Sequence, residues 1–394
     1  MLLPALLTVV AQLASPSEAT VVFAGDLVPH GDVLSSLHAH GEASLVGPLA
    51  GVLARADLAL ANLETPSVEA LPESPDASLR FNVHRDFLRG LALAGLDGLT
   101  LANNHGYDQG LSGVTETLRA VRAAGMTPIG AADASGDPLE PARFTVAGGT
   151  LCVVAATRIL NFEVSPIRPG VPRLGMARSD PGLDEERAFL ARVRDAARTC
   201  DAVVVSLHTG VEYTDRPEPR DRVFFRAVAQ AGADVIVGHH SHTPHPVEVV
   251  RVGAREVPVF TSLGNLVSAQ GSAAERAPLE PDEPFQVVRD PRTREGLLAV
   301  LRFAPVQNAP RRLRLVRWGY VPLWIQNDRE AARRQGAMVT ISAAAMPWNG
   351  GPRGFLRGRW AGLVRRVGDA WLYPRELLPG ADTAWPEEAT ARSR

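Results

Sequence analysis

The chain has 394 residues and a formal net charge of −2, with 45% hydrophobic and 21% charged residues. This composition is that of a soluble globular protein, and the length is ample for one large domain with additions. The near-neutral charge gives no reason to expect binding to nucleic acid or to an anionic membrane surface. No segment holds the ~20 uninterrupted apolar residues of a bilayer span, so we predict no transmembrane segment.

The chain begins with a short apolar run, Met1–Ala11, followed by small and polar residues up to Ala19. This pattern resembles a signal peptide with cleavage near Ala14 or Ala19, although the usual basic segment is missing. An ordinary apolar start of the domain is the alternative. We therefore expect residues 1–19 to be a signal peptide and the protein to be exported or held at the cell envelope, with a cytoplasmic location as the alternative.

Strands and helices alternate through the first third of the chain. We predict strands at 20–24, 57–61, 98–102 and 127–130, and helices at 45–55, 85–94 and 113–124. Gly125 follows the last of these helices as the residue expected to end it. The segment 66–78 is rich in proline and acidic residues and is predicted to be a loop.

The alternation continues in the second part of the chain. We predict strands at 151–156, 202–207, 235–237, 247–251 and 257–261, helices at 184–198 and 221–231, and a long loop at 161–182. This order predicts a layered α/β fold with largely parallel strand pairing. Antiparallel strands are predicted at 297–303 and 312–322, so the main domain is expected to cover residues 20–325. Residues 326–394 form an extension of unknown role, helical near 354–369.

The two cysteines, Cys152 and Cys200, each lie at or beside an apolar strand and do not have metal-binding spacing. Two buried free thiols are the first expectation. A disulfide is the alternative, which applies if the protein is exported and the two strands are neighbours.

Five apolar strands end in polar side chains that can bind a metal. These side chains are Asp26; Asn62 and Glu64; Asn103, Asn104 and His105; His208; and His239, His240 and His242. Ligands of open α/β sheets bind beyond the carboxyl ends of the strands. Each signal alone also has a structural explanation, since Asp26 could cap a turn or helix and His208 could be a hydrogen-bonded core histidine. Their recurrence at five strand ends favours a shared site.

The strongest local signal is the segment 238–245, where four of the ten histidines lie within seven residues. His240 and His242 alternate, so an extended backbone would direct both side chains to the same face. Burying several imidazoles in a core without partners is costly. We therefore predict that this segment binds a metal.

The types of side chain point to a particular chemistry. We predict that the metal ligands are Asp26, Glu64, Asn104, His208, His240 and His242. Carboxylate, amide and imidazole ligands suit Zn, Mn, Fe or Ni rather than a metal that prefers thiolates. Two such ions can clamp a phosphoryl or tetrahedral centre and activate water. His105, outside the ligand set, is the predicted catalytic acid that protonates the leaving group.

Several stretches together resemble the CapA family of capsule and poly-γ-glutamate biosynthesis proteins, within the calcineurin-like metallophosphatase superfamily. They are 23–26 (FAGD), 61–66 (ANLETP), 101–105 (LANNH), 206–213 (SLHTGVEY), 237–242 (VGHHSH) and 262–265 (SLGN), in the family's order. The resemblance covers roughly residues 20 to 270. It implies a metallophosphatase-like β-sandwich flanked by helices in four layers, with a metal site at one edge.

The resemblance also implies roles for individual residues. Asp26 resembles the first metal ligand, and Glu64 stands where the superfamily usually has a bridging aspartate. Asn104 and His105 resemble the pair that supplies a ligand and a catalytic acid, and His208, His240 and His242 resemble the remaining ligands. The superfamily's opening Asp-x-His is absent, because Val28 occupies the histidine position. This departure leaves a single-metal site open as an alternative.

Five further residues are predicted to contact the substrate: Asn62, Asn103, Glu212, His239 and Asn265. The resemblance implies a role in the synthesis of an exported anionic polymer, with envelope biosynthesis proteins as possible partners, but it does not decide whether the protein is an enzyme. Our first hypothesis, from the metal-binding side chains, is a hydrolase that acts on a phosphoester or γ-glutamyl amide of such a polymer. One alternative is a non-catalytic component of polymer synthesis and assembly. The other is a small-molecule metallophosphatase.

Overall fold

The computed structural model describes residues 18–74, 79–161, 183–274, 286–345 and 363. Residues 1–17 of the predicted signal peptide, nearly all of the predicted loop at 161–182, and the predicted helix near 354–369 except Leu363 lie outside this part of the chain. Among the described helices, none combines the length and the apolar character needed to cross a bilayer.

The described strands form two sheets. The first contains β1 (Ala19–Val28), β2 (Leu58–Leu63), β3 (Gly98–Thr100), β4 (Thr127–Ile129), β11 (Asn265–Ser268), β12 (Glu295–Pro305), β13 (Leu313–Asn327) and β14 (Ile341–Ala345). The second contains β5 (Ala142–Val146), β6 (Gly149–Thr157), β7 (Ala202–His208), β8 (Val235–His239), β9 (Val247–Val252) and β10 (Arg255–Phe260). The α-helices are α1 (Asp32–His40), α2 (Ala50–Leu53), α3 (Arg85–Leu93), α4 (Gly110–Ala123), α5 (Leu183–Thr199), α6 (Pro219–Ala231) and α7 (Arg329–Gln335).

Parallel pairing dominates where strands and helices alternate, as predicted. The first sheet runs β14-β13-β12-β1-β2-β3-β4, and β11 pairs in parallel with the last part of β1. The second sheet runs β5-β6-β7-β8-β10-β9, with β6, β7, β8 and β10 parallel. The predicted antiparallel pair near the end of the domain is confirmed by β12 and β13. The α/β class predicted from the sequence is therefore confirmed.

The central strands β7 and β8 of the second sheet are buried on both faces, because their successive residues enter two different cores. On β7, Ala202 and Val204 pack in a core shared with the first sheet, whereas Val203 and Val205 pack in a core shared with α5 and α6. This alternation explains why the strand reads as a continuous apolar run. The carboxyl ends of strands from both sheets consequently lie close together.

Some local predictions were wrong. The predicted helix at 45–55 is a 3₁₀ turn (Gly47–Leu49) followed by the short α2. Helix α1 was not predicted. Strand β5 was also missed, and β14 extends the first sheet beyond residue 325. The limits of the domain remain a prediction.

The expectation of free thiols was wrong, because Cys152 and Cys200 form a disulfide, with their Cα atoms 6.0 Å apart. Cys152 lies on β6, and Cys200 lies between α5 and β7, the parallel neighbour of β6. Neighbouring strands thus meet the geometric condition for the bond. Both side chains are buried in the core shared with α5 and α6.

We expect the double variant Cys152→Ala/Cys200→Ala to lose about 2–4 kcal/mol of the free energy of unfolding, because the crosslink restricts the unfolded chain. The two cysteines are separated by 48 positions, so the closed loop is long. Urea unfolding of the oxidised parent and the variant measures the difference. Equal midpoints, together with two titratable thiols in unfolded parent protein, would contradict the expectation.

Candidate metal centre

The predicted ligands converge at the carboxyl ends of strands from both sheets. Asp26 lies within β1, Glu64 directly follows β2, and His208 ends β7. Asn104 follows β3, and the two histidines at 240 and 242 follow β8. Every one of the six side chains is buried.

These side chains form two groups that could each hold a divalent ion. One group is Glu64, His208 and His240, and the other is Asp26, Glu64 and His242. Within each group, the candidate ligand atoms lie within 4.8 Å of one another. Glu64 belongs to both groups, which is the arrangement expected of a carboxylate that bridges two ions.

Glu64 is the most unusual side chain of the centre. It is 0% exposed, and neither carboxylate oxygen finds a hydrogen-bond donor among the described residues. Its Oε1 lies 3.6 Å from His208 Nε2 and 3.7 Å from His242 Nε2. Burial, followed by the charge of Asp26, raises the pKa of Glu64 well above its ordinary value. A buried carboxylate in this setting requires a proton or a cation.

Asp26 is held by three donors. Its Oδ1 accepts hydrogen bonds from His239 Nδ1 at 2.8 Å and from Asn62 Nδ2 at 2.9 Å. Its Oδ2 accepts one from the backbone N–H of His240 at 3.1 Å. Burial acts to raise the pKa of Asp26, but the His239 hydrogen bond and the nearby imidazoles outweigh it, so the pKa is lowered. Asp26 is therefore a preorganised carboxylate.

His208 and His240 favour the neutral form in which histidine binds metals. His240 Nδ1 lies 3.1 Å from His208 Nε2, which in turn lies 2.8 Å from Asn104 Oδ1. Burial, with smaller contributions from neighbouring imidazoles, lowers the pKa of His208 well below its ordinary value. Burial also lowers the pKa of His240 to about 3.

The backbone after β8 differs from the extended segment expected from the sequence. His240 has a φ of 97° and His242 a φ of 57°. Residues other than glycine rarely adopt positive φ, and such strain is concentrated at functional sites. The two rings nevertheless approach each other, with centroids 6.2 Å apart. Their convergence thus comes from a strained turn rather than from strand alternation.

The positions of Asp26 and Asn265 depend on the close approach of two backbone segments, at Gly25 and Gly264. A Cβ on Gly25 would lie 2.0 Å from the carbonyl oxygen of Gly264, so only glycine fits there. The backbone N–H of Asp26 donates to that oxygen at 2.9 Å. Asn265, the next residue, accepts a hydrogen bond from His242 Nδ1 at 3.0 Å, which leaves Nε2 of this ring facing Glu64. A hydrogen bond to the far nitrogen of a metal-binding histidine selects its tautomer in this way.

His105 lies beside the ligands and is held on two sides. Its Nδ1 donates to Asp108 Oδ2 at 2.7 Å, and its ring stacks on Phe81, with centroids 3.9 Å apart and planes at 10°. The sequence analysis missed Asp108 and Phe81. Asp108 was recognisable as a carboxylate three residues after His105, whereas nothing near Phe81 in the sequence indicated its position.

The five residues predicted to contact the substrate lie in different parts of the centre and its surroundings. Asn62 Oδ1 accepts a hydrogen bond from Asn103 Nδ2 at 3.1 Å, so these two amides connect β2 with the loop after β3. His239 is buried and bonded to Asp26, and Asn265 is 0% exposed. Glu212 is exposed, and its charge contributes to raising the pKa of Glu64. Their roles in substrate binding remain predictions.

The two-sheet α/β fold, together with this group of carboxylates, imidazoles and an amide, defines a metallophosphatase-like protein. Residues 20–270 match the model of the family described as bacterial capsule synthesis protein PGA_cap. The chain belongs to this family, as the motifs in its sequence predicted.

Named relatives agree with this family. The chain is 28% identical over 253 residues to the PGA biosynthesis protein CapA of Bacillus subtilis, covering 63% of each protein. It is 26% identical to the capsule biosynthesis protein CapA of Bacillus anthracis, covering 64% of this chain and 60% of that one. It is 30% identical over 300 residues to a probable polyglutamine synthesis accessory protein of Mycobacterium tuberculosis, covering 72% of this chain and 74% of the relative. The matches thus span under two thirds of the length of the two Bacillus relatives.

Proposed function

We propose that this protein acts in the synthesis or processing of an envelope polymer such as poly-γ-glutamate, and that its centre is a two-ion hydrolase site. The observation that carries the proposal is Glu64, a fully buried carboxylate without a hydrogen-bond donor among the described residues, which is shared by two ligand groups. Family membership and the names of the relatives support the polymer context.

The ligand atoms fit a pair of divalent ions. Carboxylate and imidazole groups suit Mn, Zn, Fe or Ni, and the two cysteines are engaged in a disulfide away from the centre. Glu64 would serve both ions, with His208 and His240 on one side and Asp26 and His242 on the other. Asn104, which faces His208, would complete the first group. When bound, two such ions polarise a phosphoryl or acyl oxygen and activate water.

The chain itself supplies the proton transfer. His105 is fixed by Asp108 through Nδ1, so its Nε2 is the atom that donates a proton to the leaving oxygen or nitrogen. This assignment fits a phosphoester or a γ-glutamyl amide as substrate. A structural metal site would need no such histidine–carboxylate pair, and this favours hydrolysis over a purely structural role for the centre.

We also place the protein outside the cytoplasm, at or near the envelope. The apolar N-terminal run supports export, and the Cys152–Cys200 disulfide supports an oxidising compartment, where such bonds persist. The partners that follow from this location are an anionic polymer and other envelope biosynthesis proteins.

Elemental analysis of the purified protein tests the metal site. We expect two equivalents of divalent metal in the parent and at most one in His240→Ala, because the group of Asp26, Glu64 and His242 stays intact. His38→Ala is the matched control, since His38 is largely exposed and pairs with Glu73. A parent protein that holds no metal after saturation and desalting would refute the proposal.

Hydrolysis assays test whether the centre is catalytic. We expect metal-stimulated turnover of a phosphoester or a γ-glutamyl peptide, lowered at least about 100-fold in His240→Ala. Absence of turnover on both substrate classes by the two-metal protein would reject the hydrolase. A non-catalytic component of polymer assembly would then be the better assignment.

A further inference from the structure

Asn161 lies at the border of the centre, shortly after the end of β6, and its side chain contacts two residues of the loop after β3. Its Oδ1 accepts a hydrogen bond from Asn104 Nδ2 at 3.2 Å, and its Nδ2 lies 3.0 Å from Nε2 and 3.4 Å from Nδ1 of His105. Its backbone N–H also donates to the carbonyl oxygen of Asn104 at 3.0 Å. A residue that follows a strand of the second sheet thus contacts both the predicted ligand Asn104 and the predicted acid His105, which follow a strand of the first sheet.

The contact with Asn104 decides which end of that amide faces the metals. A neutral amide binds a metal through its oxygen and never through its NH₂ group. Asn104 presents Oδ1 to the centre, 2.8 Å from His208 Nε2, while its NH₂ group is directed at Asn161 Oδ1. An acceptor on the outer side therefore stabilises the orientation that metal binding needs.

The contact with His105 lies over the imidazole ring, because the amide nitrogen of Asn161 is 3.0 Å from Nε2 and 3.4 Å from Nδ1. Asp108 accepts a hydrogen bond from Nδ1, and Phe81 stacks on the ring. The NH₂ group of Asn161 is a third contact of the same ring. It thus helps to hold in place the ring whose Nε2 would face the leaving group.

We propose that Asn161 is a positioning residue that orients the metal ligand Asn104 through its carbonyl oxygen and the acid His105 through its NH₂ group. This inference rests on the proposed function. Asn161 itself is exposed, so its replacement leaves the core unchanged. Its two contacts use different chemical groups, and two substitutions can therefore separate them.

The experiment measures Mn²⁺ affinity and the imidazole NMR signals of His105 in Asn161→Ala and Asn161→Asp. We expect Asn161→Ala to bind Mn²⁺ about 10-fold or more weakly, the usual cost of losing an outer-shell partner. Asn161→Asp should match the parent's affinity or exceed it, because a carboxylate still accepts from Asn104. The His105 signals should shift in both variants, since neither places an amide NH₂ group against the ring. Gln230→Ala, an exposed amide on α6, is the control and should change neither measurement.

Parent affinity in Asn161→Ala, or an equal loss in both variants, would overturn the role toward Asn104. Unchanged His105 signals in the metal-free variants would overturn the role toward His105. A parent that binds no Mn²⁺ would instead reject the proposed metal site, and the signals of the metal-free protein would still decide the contact with His105. Failure of the inference and failure of the proposed function are thus distinguishable.

Discussion

Replacing Glu64 with glutamine is expected to abolish binding of both ions and to stabilise the metal-free protein. Glu64 belongs to both ligand groups, so removing its charge weakens both at once. In the absence of metal its buried carboxylate has no hydrogen-bond donor among the described residues. A buried polar group without a partner costs about 1–3 kcal/mol, and a charged one more. The isosteric amide removes most of this cost, while turnover should fall at least about 1000-fold.

The same substitution should change how stability depends on pH. Burial, and then the charge of Asp26, raises the folded-state pKa of Glu64 well above its ordinary value of 4.5. Between 4.5 and the raised value, the folded metal-free protein keeps a proton that the unfolded chain has released. Its free energy of unfolding therefore falls as pH rises through this range. Glu64→Gln lacks this titration, so its stability should decline less.

Urea unfolding with a chelator, at several values between about pH 5 and pH 8, measures both effects. Elemental analysis without the chelator measures the loss of metal. Glu256→Gln is the control, because Glu256 is a half-exposed carboxylate paired with Arg251 on the surface. A Glu64→Gln variant that keeps two equivalents of metal, or that unfolds more easily than the metal-free parent, would contradict the bridging role.

Replacing His105 with asparagine is expected to lower turnover about 100- to 10,000-fold on substrates with poor leaving groups, the usual contribution of a general acid. Metal content should stay at the parent level, because His105 is in neither ligand group. An activated leaving group such as p-nitrophenolate needs little protonation, so its hydrolysis should change far less. Asp108→Asn should show the same dependence on the leaving group with a smaller loss, because Asp108 acts through His105.

Comparison of an alkyl and a nitrophenyl phosphoester, each assayed with metal-saturated enzyme, separates these effects. His84→Asn is the control, since His84 is exposed and bonded to the carbonyl of Leu71. Equal losses on both substrates in His105→Asn would indicate damage to binding or to the metals rather than loss of an acid. Retention of full activity on the alkyl ester would exclude His105 as the proton donor.

The site residues differ in whether the local sequence pattern could reveal them. Asp26, Glu64 and His208 were identified because each follows an apolar run that predicts a strand. Ligands of α/β sheets bind at the ends of strands. Their roles as ligands remain predictions, but their convergence was correctly expected. Asn161 carried no such signal, since it lies at the start of a predicted loop and its partners are 56 and 57 positions away.

The disulfide could be predicted from the sequence only conditionally. Cys152 and Cys200 were expected to pair if their strands are neighbours, and the sequence alone does not show whether they are. Adjacency of β6 and β7 depends on the order of strands in the sheet. The turn at His240 and His242 was also unpredictable, because positive φ in histidine is tolerated only where surrounding contacts impose it.

The sequence by itself determined the family and the α/β class, and it predicted which side chains would bind a metal. These follow from short motifs and from the alternation of strands and helices, which are local properties of the chain. Only the tertiary structure decided that Glu64 is shared between two groups of ligands and that Asn161 contacts His105. Both features arise where the carboxyl ends of strands from the two sheets lie close together. That arrangement depends on packing between residues far apart in the chain.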